Sequence, residues 1–299
     1  MNPSTVGQLV EAGLDPAYVE QVVRTALAED LGAPDGVDVT SAATIPAGQT
    51  GTADLVARAD GVVAGIPVAA AVFELAAALD GSPVDFAAKV TDGTAVRRGD
   101  VLATVHGSTR VLLTAERTAL NLISRTSGVA THTRRWVEAL AGTGATVLDT
   151  RKTTPGLRAL EKYAVRAAGG DNKRMGLYDV AMIKDNHKLA AGSVTAAYEA
   201  VRAQFPDVPV QVEVETVAEA VEAVAAGAEF LLCDNMSPAL LREVVVAVGD
   251  RAELEATGNL TLATVAEYAA TGVDYLSVGG LTHSSPILDI ALDLHPRSP

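Results

Sequence analysis

Thr146-Val147-Leu148-Asp149-Thr150-Arg151-Lys152-Thr153-Thr154-Pro155-Gly156 is the stretch on which the fold turns. A short apolar run breaks into two cations flanked by hydroxyls and closes on a Pro-Gly turn. An apolar run that empties into such a cluster has the pattern of a barrel strand delivering side chains to an active site. The surrounding charge points the same way. Residues 151–188 hold nine Lys and Arg against four Asp and Glu, in a chain whose net charge is −14. An acidic protein that gathers its cations in one segment is equipped to hold a small, highly charged anion there.

Downstream of this stretch, strand-like and helical patterns alternate. Apolar runs cover 146–148, 180–183, 210–214, 230–233, 252–256 and 275–278, separated by helical stretches at 194–203, 217–226, 238–246 and 262–270. Six such strand-helix units predict a parallel α/β barrel with fewer than eight strands. At or near the ends of the runs stand Asp149 with Arg151 and Lys152, then Lys184, Glu213, Asp234, Glu255 and Gly279-Gly280. Barrels of this class collect their chemistry at the carboxyl ends of the strands, so six ends are expected to point at one mouth.

Upstream, the rhythm differs. Helical spacing from Asp15 to Leu31 is bracketed by Asp15-Pro16 and Gly32. Short β-like runs at 53–59, 84–90 and 101–106 surround one helix at 68–79, with Asp-Gly and Gly-Asp turns between them. This predicts a small α+β domain with a largely antiparallel sheet, followed by a long helix over 113–140.

Composition narrows the function. The 299 residues are 48% hydrophobic but only 4% aromatic, which suits Ala- and Val-lined helices packed on a parallel sheet. The net charge of −14 argues against nucleic acid or an anionic membrane as partner, because both need a basic face. Cys233, the single cysteine, is expected to be a small buried hydrophobe, and no disulfide framework can form within the chain. The first residues lack a basic stretch followed by an apolar one, and no apolar run approaches ~18 residues, so a cytoplasmic protein is expected.

The strand ends supply candidate roles. Arg151 and Lys152, beside Thr150 and the Pro155-Gly156 turn, suit a phosphate or carboxylate clamp better than a solvated loop pair. Lys184 closes an apolar run and must snorkel or face the mouth. Glu213 and Glu215, two apart, would project to one side of a strand unless Glu215 already belongs to the loop. Glu213 and Asp234 on adjacent strands can hold Mg²⁺, directly or through water or substrate, or sugar hydroxyls, and can stabilise developing positive charge; the plain alternative is a structural pair neutralising nearby lysines. Thr257-Gly258-Asn259 and Gly279-Gly280, the latter followed by His283, form small-residue loops after the last two strands, where barrels commonly bind phosphate. Asp185-Asn186-His187 reads as a cap for the next segment. His106, His132 and His295 share no metal-ligand spacing and are expected to be structural or on the surface.

Several stretches together resemble the type II phosphoribosyltransferases, specifically the quinolinate phosphoribosyltransferase family. They are Glu116-Arg117-Thr118-Ala119-Leu120-Asn121, Ser127-Gly128-Val129-Ala130-Thr131, Leu148-Asp149-Thr150-Arg151-Lys152-Thr153, Met182-Ile183-Lys184-Asp185-Asn186-His187, Val212-Glu213-Val214-Glu215, Asp234-Asn235-Met236 and Ser277-Val278-Gly279. The resemblance implies an N-terminal α/β sandwich at 1–113, an open six-stranded, incomplete TIM-like α/β barrel at 114–283, and a segment 284–299 packing back on the sandwich. It implies a homodimer in which Arg117 crosses to the neighbouring site, with further assembly left open. It also implies Mg²⁺-dependent transfer of phosphoribose from phosphoribosyl pyrophosphate to quinolinate with loss of CO₂. In that scheme Arg117, Thr150, Arg151, Lys152, Lys173, Arg174 and Lys184 hold the anionic substrates. Lys152, Lys184, Glu213 and Asp234 act at the reacting centre. Thr257, Gly258, Asn259, Gly279, Gly280 and His283 surround the 5′-phosphate.

This chain departs from the family pattern at three places. Lys173 stands where the family carries histidine, Thr257-Gly258-Asn259 replaces Ser-Gly-Asn, and Gly279-Gly280 replaces Gly-Ala. Lys173 leaves open a paralogous enzyme acting on another anionic base, such as the type found with molybdenum-utilisation genes. A catalytically silent anion binder is the remaining alternative, and mere anion binding has no need of Glu213 and Asp234.

Overall fold

Asp15 and Gly32 bracket the first long helix as their chemistry requires. The Asp15 carboxylate accepts the Ala17 N–H at 2.9 Å, Pro16 opens helix Pro16–Leu31, and Gly32 closes it at φ 77°. The computed structural model describes residues 1–32 and 36–296. They fall into two compact units: the first comprises 1–132, 154–168 and the chain from Ser285 onward, the second 133–153 and 169–284.

The first unit is built on a four-stranded antiparallel sheet in the order Ile290–Leu294, Thr50–Ala57, Val101–Ser108, Val84–Ala88. Helix Ile66–Asp80 is buried along most of its length, and its Val72, Phe73 and Leu75 join Leu55, Leu102 and Val105 in one core. Two short helices, Pro3–Glu11 and Val39–Thr44, carry too few apolar residues to stand out in the sequence. Segment 284–299 contributes an edge strand to the sheet, Ala53 opposite Leu294 and Ala57 opposite Ile290; its last three residues lie outside the described ones.

The expected break at 113/114 differs from the division seen here. Helix Thr109–Ala139 runs across it without interruption, and Val111, Leu112, Ala115, Ala119 and Ile123 are part of the sheet domain's core. Helix Arg158–Ala167 belongs to the same unit through Leu160 and Tyr163. The shared core sets the boundary, and a change of secondary-structure rhythm does not mark it.

The second unit is a six-stranded, wholly parallel sheet in the order Thr146–Leu148, Tyr275–Ser277, Glu253–Thr257, Phe230–Asp234, Val210–Val214, Ala181–Ile183. Its two outer strands pair with no further strand among the described residues, which makes this an open barrel. Register stacks the inward side chains in layers. Asp234, Thr257 and Ser277 align in one row near the carboxyl ends, and Glu213, Leu232 and Glu255 align in the row beneath. Cys233 points to the other face, fully buried, with its thiol pushed up to about 12 by burial and then by the Glu255 charge. No helix among the described residues is long and apolar enough to cross a membrane.

Candidate active site

At the carboxyl end of the barrel lies a cavity of about 330 Å³. Its wall carries the cations Arg151, Lys152, Lys173, Arg174 and Lys184, the carboxylates Glu213 and Asp234, and the hydroxyls Thr150, Thr257 and Ser277. Met182 and Leu232 supply its apolar part.

Each side chain is delivered by a strand end. Arg151 and Lys152 follow strand Thr146–Leu148, where the Thr150 hydroxyl accepts the Lys152 N–H at 3.1 Å and buried Thr282 donates to the Lys152 carbonyl at 2.8 Å. Residue 171 continues alongside the same strand, bridging to Leu148. Asp149, completely buried, then secures the next turn: it accepts the Asn172 side-chain amide at 2.6 Å and the Lys173 N–H at 3.0 Å. Arg174 donates to the Val180 carbonyl at 2.9 Å, while Asp179 accepts the N–H groups of Met175 and Gly176. Burial, followed by the nearby Arg151 guanidinium, lowers the Arg174 pKa, which marks this wall as crowded with positive charge.

Lys184 leaves strand Ala181–Ile183 half-exposed, its Nζ 3.5 Å from Glu213 Oε2. The Glu213 side chain is 10% exposed, so its carboxylate meets the cavity and little else. Asp234 accepts the Asn235 side-chain amide at 2.9 Å. Lys173 reaches downward: its Nζ lies 2.6 Å from Oε1 of fully buried Glu255, whose Oε2 accepts the Gln211 amide at 2.6 Å. Burial lowers the Lys173 pKa, Glu255 opposes that, and the neighbouring Lys184 and Arg174 add to it.

Not every expected cation reaches the mouth. Arg158, Lys162 and Arg166 lie on helix Arg158–Ala167 of the first unit. Lys188 is engaged by Asp185 at 2.7 Å and Glu219 at 3.0 Å. Net charge along a segment is blind to which way a helix carries its residues, so the surplus in 151–188 overstated the cluster. Glu215 falls past the strand end, exposed, and repulsion from Asp185 raises its pKa; it does not share the Glu213 position. His187 is a cap, its Nδ1 accepting the Lys184 N–H at 3.0 Å.

The glycine-rich loops lie beside the cavity wall formed by Thr257 and Ser277. Gly258 has φ 95°, and a Cβ there would meet the Asn235 Oδ1 at 2.1 Å, so glycine is required by packing. Asn259 has φ 51° and approaches Asn235 at 3.4 Å. A Cβ on Gly279 would lie 3.0 Å from the Lys152 side chain and 3.2 Å from His283, so this glycine gives Lys152 its path; Gly280 has no such neighbour. Arg117 is exposed on the long helix of the first unit. His106, His132 and His295 bond to Thr52, Ser285 and Asp54 within that unit, as expected of structural or surface histidines.

Two residues at or beneath the wall, Gln211 and Ser277, escape a reading of strand ends, and so do the roles of Asp149 as a buried anchor and of Glu255 as the partner of Lys173. Ser277 Oγ is buried on the wall and makes no hydrogen bond among the described residues, which is uncommon for a buried hydroxyl and suits a site that a ligand completes. Pairings such as Gln211 with Glu255, 44 residues apart, leave no local signal.

Comparison with known proteins agrees with this geometry along nearly the whole chain. Residues 38–127 match the family model for the quinolinate phosphoribosyl transferase N-terminal domain, and 129–293 match that for the C-terminal domain. A nicotinate-nucleotide pyrophosphorylase [carboxylating] of Mycobacterium leprae is 50% identical over 276 residues, 91% of this chain and 95% of that protein. A probable enzyme of the same name from Bacillus subtilis is 43% identical over 267 residues, covering 89% of this chain and 90% of its own. The crystal structure of NadC from Streptococcus pyogenes superposes with a TM-score of 0.89 at 39% identity, covering 94% of this chain and 98% of that one.

Proposed function

The chain belongs to the quinolinate phosphoribosyltransferase family, and from that premise we propose how its barrel mouth carries out the family's reaction. The protein is a phosphoribosyltransferase of NAD synthesis. It joins quinolinate to phosphoribosyl pyrophosphate and yields nicotinate mononucleotide, pyrophosphate and CO₂. The observation that carries the assignment of roles is one cavity in which five cations face two carboxylates. Both substrates are polyanions, and pairing them with fixed cations offsets the cost of removing them from water.

In this reading Arg151, Lys152, Lys173, Arg174 and Lys184 hold the two quinolinate carboxylates and part of the pyrophosphate. The quinolinate ring nitrogen forms the bond to the anomeric carbon as the bond from that carbon to pyrophosphate breaks, the electron pair leaving with pyrophosphate. Glu213 and Asp234 stabilise the positive charge that develops on the ribose. The carboxylate beside the now cationic nitrogen departs as CO₂, its bonding pair remains on the ring carbon, and a proton replaces it. Thr257 and Ser277, with Gly258, Asn259, Gly279, Gly280 and His283 beside them, receive the 5′-phosphate. The buried Ser277 hydroxyl supports this, since a phosphate oxygen would complete its hydrogen bonding.

Glu213 and Asp234 also suit Mg²⁺. Among the described residues no set of three or more potential ligands gathers around a metal position. Two carboxylates with the remaining donors supplied by substrate phosphate and water are what this hard cation commonly uses. When bound, Mg²⁺ would neutralise charge on the leaving pyrophosphate. The assembly we propose is a homodimer in which the partner subunit's Arg117 completes the cationic wall; an exposed arginine on a long helix is free to do so. A cytoplasmic location accords with the acidic surface and the single buried cysteine.

Pyrophosphate and CO₂ release should be measured with quinolinate, nicotinate and picolinate in parallel. Quinolinate should be the preferred acid and should release both products in equal amounts. Preference for another pyridine acid, or pyrophosphate release without CO₂, would overturn the assignment of the base.

A further inference from the structure

Lys173 is held at both ends. Its backbone N–H donates to buried Asp149, and its ammonium meets Glu255 at 2.6 Å. Glu255 is fully buried in the row beneath the cavity floor, and its second oxygen is fixed by Gln211, itself 1% exposed. The three residues come from three separate places: the turn after 171, strand Glu253–Thr257 and strand Val210–Val214. Lys184 is held more loosely: it reaches Glu213 across 3.5 Å with half its side chain exposed.

We propose that Glu255, seated by Gln211, is a positioning residue that pins the Lys173 ammonium to the cavity wall and thereby tunes how the site receives the carboxylates of its acid substrate. Lysine is a flexible point charge, and a fixed counter-ion removes the freedom that would otherwise make it a poor substitute for a flat ring. The pair as a whole is neutral. Lys173 therefore offers the substrate an oriented hydrogen bond from an ion pair, while Arg151, Lys152, Arg174 and Lys184 supply the net positive field. This rests on the cavity being the acid pocket proposed above.

The charged groups that act on the Lys173 ammonium are Glu255, which favours its proton, and Lys184 and Arg174, which oppose it. Removing the Glu255 charge leaves a buried ammonium among cations, which favours loss of its proton. E255Q keeps the shape and one acceptor while removing the charge. It should raise the quinolinate KM about tenfold at pH 8 and less at pH 6.5, with kcat within about threefold of wild type. In a K173M background, E255Q should add nothing further to KM, since the residue acts through the lysine. E255D keeps the charge with a shorter reach; it should raise KM several-fold, on the order of a few times, and retain the wild-type pH profile.

A substrate-free readout separates this inference from the assignment of quinolinate. With ¹⁵N-labelled lysine side chains, the Lys173 resonance, assigned by its loss in K173M, should titrate at lower pH in E255Q than in wild type. An unchanged titration sinks the inference whichever acid the enzyme uses. So does wild-type KM in both E255Q and E255D, or an undiminished effect of E255Q in the K173M background. A shifted titration in a protein that ignores quinolinate would leave the positioning role standing and overturn the substrate.

Discussion

Two glutamates with no exposed surface each meet a cation, Glu161 in the first unit and Glu255 in the barrel, and they differ in what the cation does next. Glu161 accepts from Arg125 Nε at 3.0 Å and Nη2 at 2.7 Å, and from the Thr154 hydroxyl and N–H at 2.7 and 3.0 Å. Arg125 also donates to the Ser285 carbonyl at 3.0 Å. This hub ties the long helix to two segments distant in sequence, and every contact named is internal to the first unit. Glu255 receives Lys173 and Gln211, and Lys173 remains part of a cavity wall. Burial of an ion pair is therefore no index of function. Where the cation's remaining surface faces separates a rivet from a tool.

The largest effect expected from this contrast is on stability. Glu161→Ala removes the carboxylate bonded by part-buried Arg125 and by two groups of part-exposed Thr154, while Arg125 keeps the Ser285 carbonyl, so the loss should be about 3 kcal/mol, the low end for breaking a buried pair from one side. Urea unfolding should show the midpoint falling sharply, while protein that remains folded keeps the wild-type quinolinate KM. An unchanged midpoint would mean the hub is dispensable, and the distinction between the two glutamates would fail.

Next in size is the effect of the cavity carboxylates on the chemical step. Asp234→Asn and Glu213→Gln should each lower kcat about a hundredfold, ~2.7 kcal/mol of transition-state stabilisation, with smaller changes in quinolinate binding. Single-turnover kinetics would separate the two. Normal kcat in either variant would class that residue with Glu161 as structural.

These contrasts also explain what the sequence could and could not reveal. The six barrel strands were legible because parallel strands buried on both faces form short apolar runs bounded by turns, and the chemistry at their ends follows from that geometry. Arg151, Lys152, Lys184, Glu213 and Asp234 needed no partner to be singled out. Helix Arg158–Ala167 was hidden because it buries Glu161 and Lys162, residue types that read as solvent-facing. Glu255 was visible as a strand-end carboxylate, yet its meaning depends on Lys173, 82 residues away. Gly258 looked like a phosphate loop, and the side chain of Asn235 supplies a separate packing reason for it.

A cation that faces out of the first unit tests the proposed assembly. If Arg117 completes the site of the partner subunit, Arg117→Ala and Lys184→Ala homodimers should each lose most of their activity, for different reasons. Subunit exchange between them should restore up to roughly a quarter of wild-type activity, since about half the dimers are mixed and each mixed dimer has one intact site. Exchange demonstrated by labelled subunits without recovery would confine Arg117 to its own unit.

The smallest effect is expected at Lys173, where the change is from one cation to another. In Lys173→His the imidazole is shorter and its contact with Glu255 looser, while burial and the neighbouring Lys184 and Arg174, which already prevail over Glu255 at Lys173, should hold its pKa below the ordinary value of ~6.5. With the folded value below the unfolded one, protonating the imidazole costs stability, a cost that is complete below the lowered value and gone once pH rises above ~6.5. The quinolinate KM should come nearest the wild-type value toward pH ~5 and climb as the imidazole loses its proton, whereas the Glu255-held lysine keeps the wild-type KM nearly flat between pH ~6 and ~8. A flat profile in the variant would mean that charge at this position does not govern acid binding. Gain of quinolinate turnover by the variant over an inactive wild type would place the choice of base at residue 173 itself, and the paralogous reading would then replace the quinolinate one.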